Sequence, residues 1–152
     1  MIDIKKLKIL RKKTGVSLSL CQKALKETNN DLNKSEKLLQ KWGAEVVSKK
    51  ANSETTEGAI FSYIHHNKKI ASFVEIVCQT DFVAKNQEFQ KLGQEIAMQI
   101  ASNPSETIDQ LLSQEYIRNP EKKINDLLNE AVLKFGENIK ITRFIRWQLG
   151  SL

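Results

Sequence analysis

Asp81 and Phe82 stand side by side within Cys78-Gln79-Thr80-Asp81-Phe82-Val83-Ala84-Lys85-Asn86. A carboxylate beside a large ring, held at a corner between two regular elements, suits a rigid protrusion that pushes two unlike groups into a partner. The same pair also suits a helix start, with Asp81 accepting backbone N–H bonds as a cap and Phe82 in the core. The readings separate on one substitution, because a cap tolerates Asp81→Asn. His65-His66 invites a metal reading. Neighbours on a strand face opposite ways, however, and no third ligand lies nearby in sequence, so solvent-facing turn histidines are expected and no metal. Six scattered glycines form no phosphate-cradling loop, and no Ser-His-Asp or Cys/His spacing stands out. The chain therefore reads as a binding protein, not an enzyme, and without a cofactor.

The elements that must position this corner are legible in outline. The apolar, β-branched run Ile70–Cys78 predicts a buried strand, and Phe82, Phe89, Leu92, Ile96 and Ile100 recur at helical spacing, so strand passes to helix near Asp81. Residues 58–64 and 70–78 flank the turn formers His65-His66-Asn67-Lys68-Lys69 and predict a β-hairpin. Asn103-Pro104 breaks the helix, and a short one follows over 107–113. Asn119-Pro120 predicts the opening of a longer helix with Ile124, Leu127, Leu128, Ala131, Val132 and Phe135 inside and Gly136 as its stop. A last strand places Ile139, Ile141, Ile145, Trp147 and Leu149 on one parity, with Arg143 and Phe144 breaking the alternation.

Ahead of this core, Asp3, Ser17 and Asp31 are helix caps. The inner stripes Ile4, Leu7, Leu10, then Leu18, Cys21, Leu25, then Leu32, Ser35, Leu38, Leu39, Trp42 line three helices, separated by Thr14-Gly15-Val16 and Asn29-Asn30. Gly43 either closes the third helix or interrupts a continuation through Val46 and Val47. The polar, aperiodic residues 51–57 read as a linker. The fold class is thus α+β: a three-helix bundle over 1–50, then a core over 58–152 with a small antiparallel three-stranded sheet packed with helices.

At 152 residues with two cysteines, the chain needs neither disulfides nor metal to bury a core, and a reducing compartment is expected. No apolar run approaches ~20 residues, so no membrane span is expected. Residues 1–50 hold 13 Lys+Arg against 5 Asp+Glu, whereas residues 51–152 hold 11 against 13. That asymmetry fits an acidic partner for the bundle, or a solvated lysine surface. An RNA-binding or ribosome-associated module is the alternative function, and a plain interaction adaptor a third. Few aromatics interleave the lysines, so direct nucleic-acid binding is not expected.

Thr80-Asp81-Phe82-Val83-Ala84 resembles the signature of bacterial and organellar translation elongation factor Ts, the nucleotide-exchange factor for elongation factor Tu. Thr14-Gly15 with Cys21-Gln22-Lys23-Ala24-Leu25, then Tyr63-Ile64-His65-His66-Asn67, then Phe135-Gly136-Glu137-Asn138-Ile139 resemble further stretches of that family in the same order. The resemblance implies that Asp81 and Phe82, supported by Thr80, Val83 and Ala84, intrude beside the magnesium site of elongation factor Tu and promote GDP release. It implies a ubiquitin-associated-type bundle that docks on the GTPase through Val16, Leu18 and Leu20. Ser19 and Leu20 depart from the Met and Asp that members commonly carry there, which alters that docking edge. The span Ile100 to Leu111 is too brief for the helical insertion usual in the family, so this is a short, single-core form, for which pairing as a homodimer is implied. The Asn, Lys and Ile bias and the lack of a transit peptide fit a bacterial cytoplasm or organelle-encoded synthesis in a plastid stroma.

Overall fold

The computed structural model describes residues 1–151. The chain runs α1 (Ile4–Thr14), α2 (Leu18–Glu27), α3 (Leu32–Lys50), β1 (Glu57–Ile64), β2 (Ile70–Cys78), α4 (Asp81–Ala84), α5 (Gln87–Ser102), α6 (Ile108–Ser113), β3 (Glu115–Tyr116), β4 (Asn119–Lys123), α7 (Ile124–Phe135) and β5 (Lys140–Gln148). It is an α+β protein whose main sheet is antiparallel with order β1-β2-β5. Among the described residues no helix is long and apolar enough to cross a membrane. The chain divides into two compact units, Met1–Asn52 with Asn129–Glu137, and Ser53–Leu128 with Asn138–Leu152. The C-terminal part of α7 thus groups with the N-terminal helices and its first turn with the sheet.

In the first unit, each helix starts on a side chain that satisfies otherwise orphaned N–H groups. Asp3 accepts from Lys5 and Lys6, Ser17 from Leu20, and Asp31 from Lys34. Gly15 takes the left-handed conformation (φ +68°) that stops α1, its N–H donating to the Arg11 carbonyl at 2.7 Å. The core gathers Leu7, Leu10, Val16, Cys21, Ala24, Leu25 and Leu39, with Leu20, Trp42 and Leu133 packed against it. Ile4, expected inside, is exposed, because the buried stripe of α1 runs through Leu7, Leu10 and Thr14. Gly43 does not end α3; it lies inside the helix where the Asn129 backbone comes so close that a Cβ would sit 2.5 Å from its carbonyl oxygen. Burial raises the pKa of the Cys21 thiol, against the weaker opposing effects of a Thr14 hydrogen bond and the Arg11 charge.

In the second unit, α5 lies on one face of the sheet. Phe61, Val74 and Ile76 from the strands and Phe89, Ile96, Ala97 and Ile100 from α5 are buried there, with the Phe61 and Phe89 ring centroids 5.9 Å apart. Gly93 lets the Phe61 ring lie directly against the helix backbone. The Ser72 hydroxyl, inside this face, donates to the Ala97 carbonyl at 2.6 Å.

Three expectations are corrected here. Residues 119–123 do not open a helix: Pro120 sits in strand β4, which pairs with β3, and α7 begins at Ile124. This added hairpin is held by Gln99, whose amide nitrogen donates to Gln114 Oε1 and the Glu115 carbonyl while its oxygen accepts from Ile117 N–H. The Tyr116 hydroxyl donates to Glu95 Oε2 at 2.7 Å; burial first, and that carboxylate second, push the tyrosine pKa up and keep it protonated. Next, β2 is not buried on both faces, since Phe73 is exposed.

The third concerns β5, whose parity is not constant. Ile141 faces Ile76 and Arg143 faces Glu75, leaving Thr142 as a bulge. Beyond it Phe144 and Arg146 face buried Val74 and Ser72, and Arg146 Nε donates to the Ala101 carbonyl at 2.9 Å, while Ile145 and Trp147 turn to the open face. That face now carries Ile60, Ile64, Phe73, Ile145 and Trp147, all exposed. Glu75 bonds Thr142 Oγ1 at 2.6 Å and pairs with Arg143 at 3.2 Å on the same side; the hydroxyl first, then the guanidinium, hold its carboxyl pKa down.

Candidate functional site

β2 ends at Cys78, and Thr80, in an extended conformation, turns the chain. Thr80 Oγ1 accepts from the Val83 N–H at 3.3 Å, so the cap of α4 is Thr80 and not Asp81. With the cap supplied one residue earlier, the Asp81 carboxylate is left exposed, 3.7 Å from Lys85 Nζ. An ion pair between two such exposed groups adds at most ~1 kcal/mol.

The single helix expected from Asp81 onward is two. The α4 turn closes with Lys85 N–H donating to the Asp81 carbonyl and Asn86 N–H to that of Val83, and Asn86 then caps α5 by accepting from Glu88 N–H at 2.7 Å. This break takes Phe82 off the stripe of Phe89, Ile96 and Ile100. Val83 and Ala84 point inward and are buried, with α4 packed on β1 and β2. Phe82 points outward and is 83% exposed. A ring so exposed gains nothing from its own fold, which leaves about 1.5–3 kcal/mol of apolar burial available to a contact with another molecule.

Hydrogen bonds brace the corner from beneath. Cys78 Sγ donates to the Thr80 carbonyl at 3.3 Å, and Gln90 Nε2 to that of Ala84 at 2.7 Å. Thr80→Ala removes the cap and is expected to cost about 1 kcal/mol, whereas Asp81→Asn leaves the cap intact. Thermal unfolding of the two variants checks the order: a lower midpoint for Thr80→Ala, little change for Asp81→Asn.

Of the expected contact residues, Thr80, Asp81, Phe82, Val83 and Ala84 share one turn, but only Asp81 and Phe82 present themselves outward. Val83 and Ala84 are its footing. In the first unit, Val16 is fully buried and belongs to the core, which corrects its expected place on a docking edge; Leu18 is exposed and Leu20 half-buried against that core. The histidine pair sits at the β1–β2 turn, His65 Nδ1 3.0 Å from the Tyr63 hydroxyl and the two imidazole centroids 4.1 Å apart. Among the described residues no three His, Cys, Asp or Glu side chains converge to hold a metal ion. Sequence reasoning missed Gln90 and, although it singled out the stretch that contains Asn138, assigned that residue no role; their hydrogen bonds to the corner and its approach have no periodic signal.

Two family models match the chain, one described as Elongation factor TS over residues 79–151 and one as Elongation factor Ts, mitochondrial, N-terminal, over residues 2–45. The elongation factor Ts of Thermosipho melanesiensis is 36% identical over 99% of this chain and 100% of its own length. That of Thermodesulfovibrio yellowstonii is 38% identical over 99% and 97%. That of Clostridium tetani is 41% identical over 95% of this chain and 47% of its own length. The first alignment spans 196 positions against a chain of 152 residues, so at least 44 positions of that relative have no counterpart here.

Proposed function

The chain belongs to the elongation factor Ts family of translation elongation factors, and on that premise we propose that it is a guanine-nucleotide exchange factor that binds elongation factor Tu and drives GDP release. It makes or breaks no covalent bond in doing so. The observation that carries this reading is Phe82, 83% exposed on a capped and braced turn with the Asp81 carboxylate beside it.

The mechanism is differential binding. A factor that holds the nucleotide-free GTPase more tightly than the GDP-bound form weakens GDP binding by the same ratio, because the thermodynamic cycle closes. A 10⁴-fold weakening takes about 5.5 kcal/mol, more than one buried Phe supplies. Phe82 therefore wedges, Asp81 disturbs the groups around Mg²⁺, and lost Mg²⁺–phosphate coordination with the surrounding interface makes up the rest. Leu18, with Leu20 at its side, serves the docking of the helical unit. The protein works where its GTPase does, in a bacterial cytoplasm or a plastid stroma. Release of a fluorescent GDP analogue from elongation factor Tu tests the activity: this protein should accelerate it strongly, and an unaltered rate at saturating protein would contradict the proposal.

Pairing of two copies through the open sheet face completes the reading. Ile60, Ile64, Phe73, Ile145 and Trp147 form an exposed apolar surface on one side of a three-stranded sheet, of the kind that marks association. Phe73→Glu with Trp147→Glu should give a folded monomer in sedimentation equilibrium where the unaltered chain is a dimer. A monomeric unaltered chain at tens of micromolar, or a double variant that stays dimeric, would rule this out.

A further inference from the structure

We infer that Gln79 and Asn138 form a positioning clamp that holds the Asp81–Phe82 corner and ties it to both points where the chain enters the sheet-bearing unit. The inference rests on the exchange reading of that corner. The main-chain ladder between β2 and β5 ends at Val77 paired with Lys140. Past that pair the two strand ends are joined by a bond between a side chain and the main chain. Asn138 is only 3% exposed, so its N–H needs a partner. Gln79 supplies one: its Oε1 accepts from the Asn138 N–H at 2.6 Å, a side-chain rung one residue ahead of the Thr80 cap.

The Asn138 side chain acts in the other direction. Its Nδ2 donates to the Ser53 carbonyl at 3.0 Å. Ser53 and Asn138 are the first residues of the two segments, Ser53–Leu128 and Asn138–Leu152, that make up this unit. Three chain segments far apart in sequence thus meet at one buried residue, Asn138, next to the turn that presents Phe82. A wedge transmits force only if its base does not yield, and small misplacements of a working group are costly in rate.

The test compares Gln79→Met, which keeps length and loses the acceptor, with Gln79→Glu, which keeps an oxygen in place. Amide hydrogen exchange at residues 80–86 and the maximal rate of fluorescent-GDP release are read together with affinity for elongation factor Tu. For Gln79→Met, faster amide exchange by about fivefold is expected, the scale of one lost hydrogen bond. Maximal release should fall by about tenfold or more, with affinity changed by less than about twofold, and Gln79→Glu should restore both. Asn138→Asp, which removes the Nδ2 donor and spares the N–H, should speed exchange at residues 53–56 and leave 80–86 protected. Unchanged protection at 80–86 in Gln79→Met overturns the clamp, as does an equal loss in the Glu and Met variants. If Phe82→Ala leaves release unchanged, it is the exchange reading that fails, and the amide-protection arm still judges the clamp by itself.

Discussion

Phe82→Ala is expected to slow GDP release from elongation factor Tu by about one to two orders of magnitude at saturating factor. The figure follows from the ~1.5–3 kcal/mol that burying a Phe side chain contributes, at about 1.4 kcal/mol per decade. Because the ring is 83% exposed in the free protein, removing it takes nothing from the fold. The variant should melt where the unaltered chain does and still form a complex, though a weaker one. Stopped-flow release with a fluorescent GDP analogue, run beside thermal unfolding, reads both. A full release rate at saturating variant would remove the wedge.

The largest loss of stability is expected from Gly93→Ala. Alanine in a helix interior normally gains about 1 kcal/mol over glycine. Here the added Cβ would fall 2.2–2.3 Å from three atoms of the Phe61 ring, which is itself buried between the sheet and α5 and tilted against Phe89. The ring is buried, so forcing it aside is an overpacking cost of about 1–3 kcal/mol, enough to outweigh the helical gain. Denaturant unfolding should show a net loss of up to about 2 kcal/mol. Phe61→Leu in the same chain should recover part of it, since the two changes share one contact. A Gly93→Ala protein as stable as the original would mean that α5 does not sit on Phe61 as described.

Local chemistry made much of this fold legible. Asp3, Ser17 and Asp31 cap helices because a short polar side chain there has an orphan N–H in reach, and Gly15 and Gly136 stop helices because both sit at positive φ. The β1–β2 hairpin follows from two apolar runs around five turn formers. What stayed hidden depends on partners distant in the chain. The bulge at Thr142 is set by pairing with Glu75 and Ile76, and it inverts which side of β5 is apolar; a period-2 reading carried Ile145 and Trp147 inward. Pro120 suits the first turn of a helix as well as a short edge strand, and only the pairing of β3 with β4 decides.

The site shows the same division. The motif drew attention to Asp81 and Phe82 as candidates, but the outward direction of Phe82 comes from a helix broken at Lys85-Asn86, which the spacing of Phe82 and Phe89 concealed. Asn138 acts on Gln79 across 59 positions of sequence, a distance no local pattern spans.

Measuring the affinity of this protein for elongation factor Tu, once nucleotide-free and once loaded with GDP and Mg²⁺, addresses the wedge most directly when done for the unaltered chain and for Phe82→Ala. Phe82 acting as a wedge predicts a strong preference of the unaltered chain for the nucleotide-free form, and a Phe82→Ala variant that loses affinity for that form while binding the GDP-loaded form as before. Equal losses toward both forms would make Phe82 an ordinary anchor and contradict its part in driving nucleotide release.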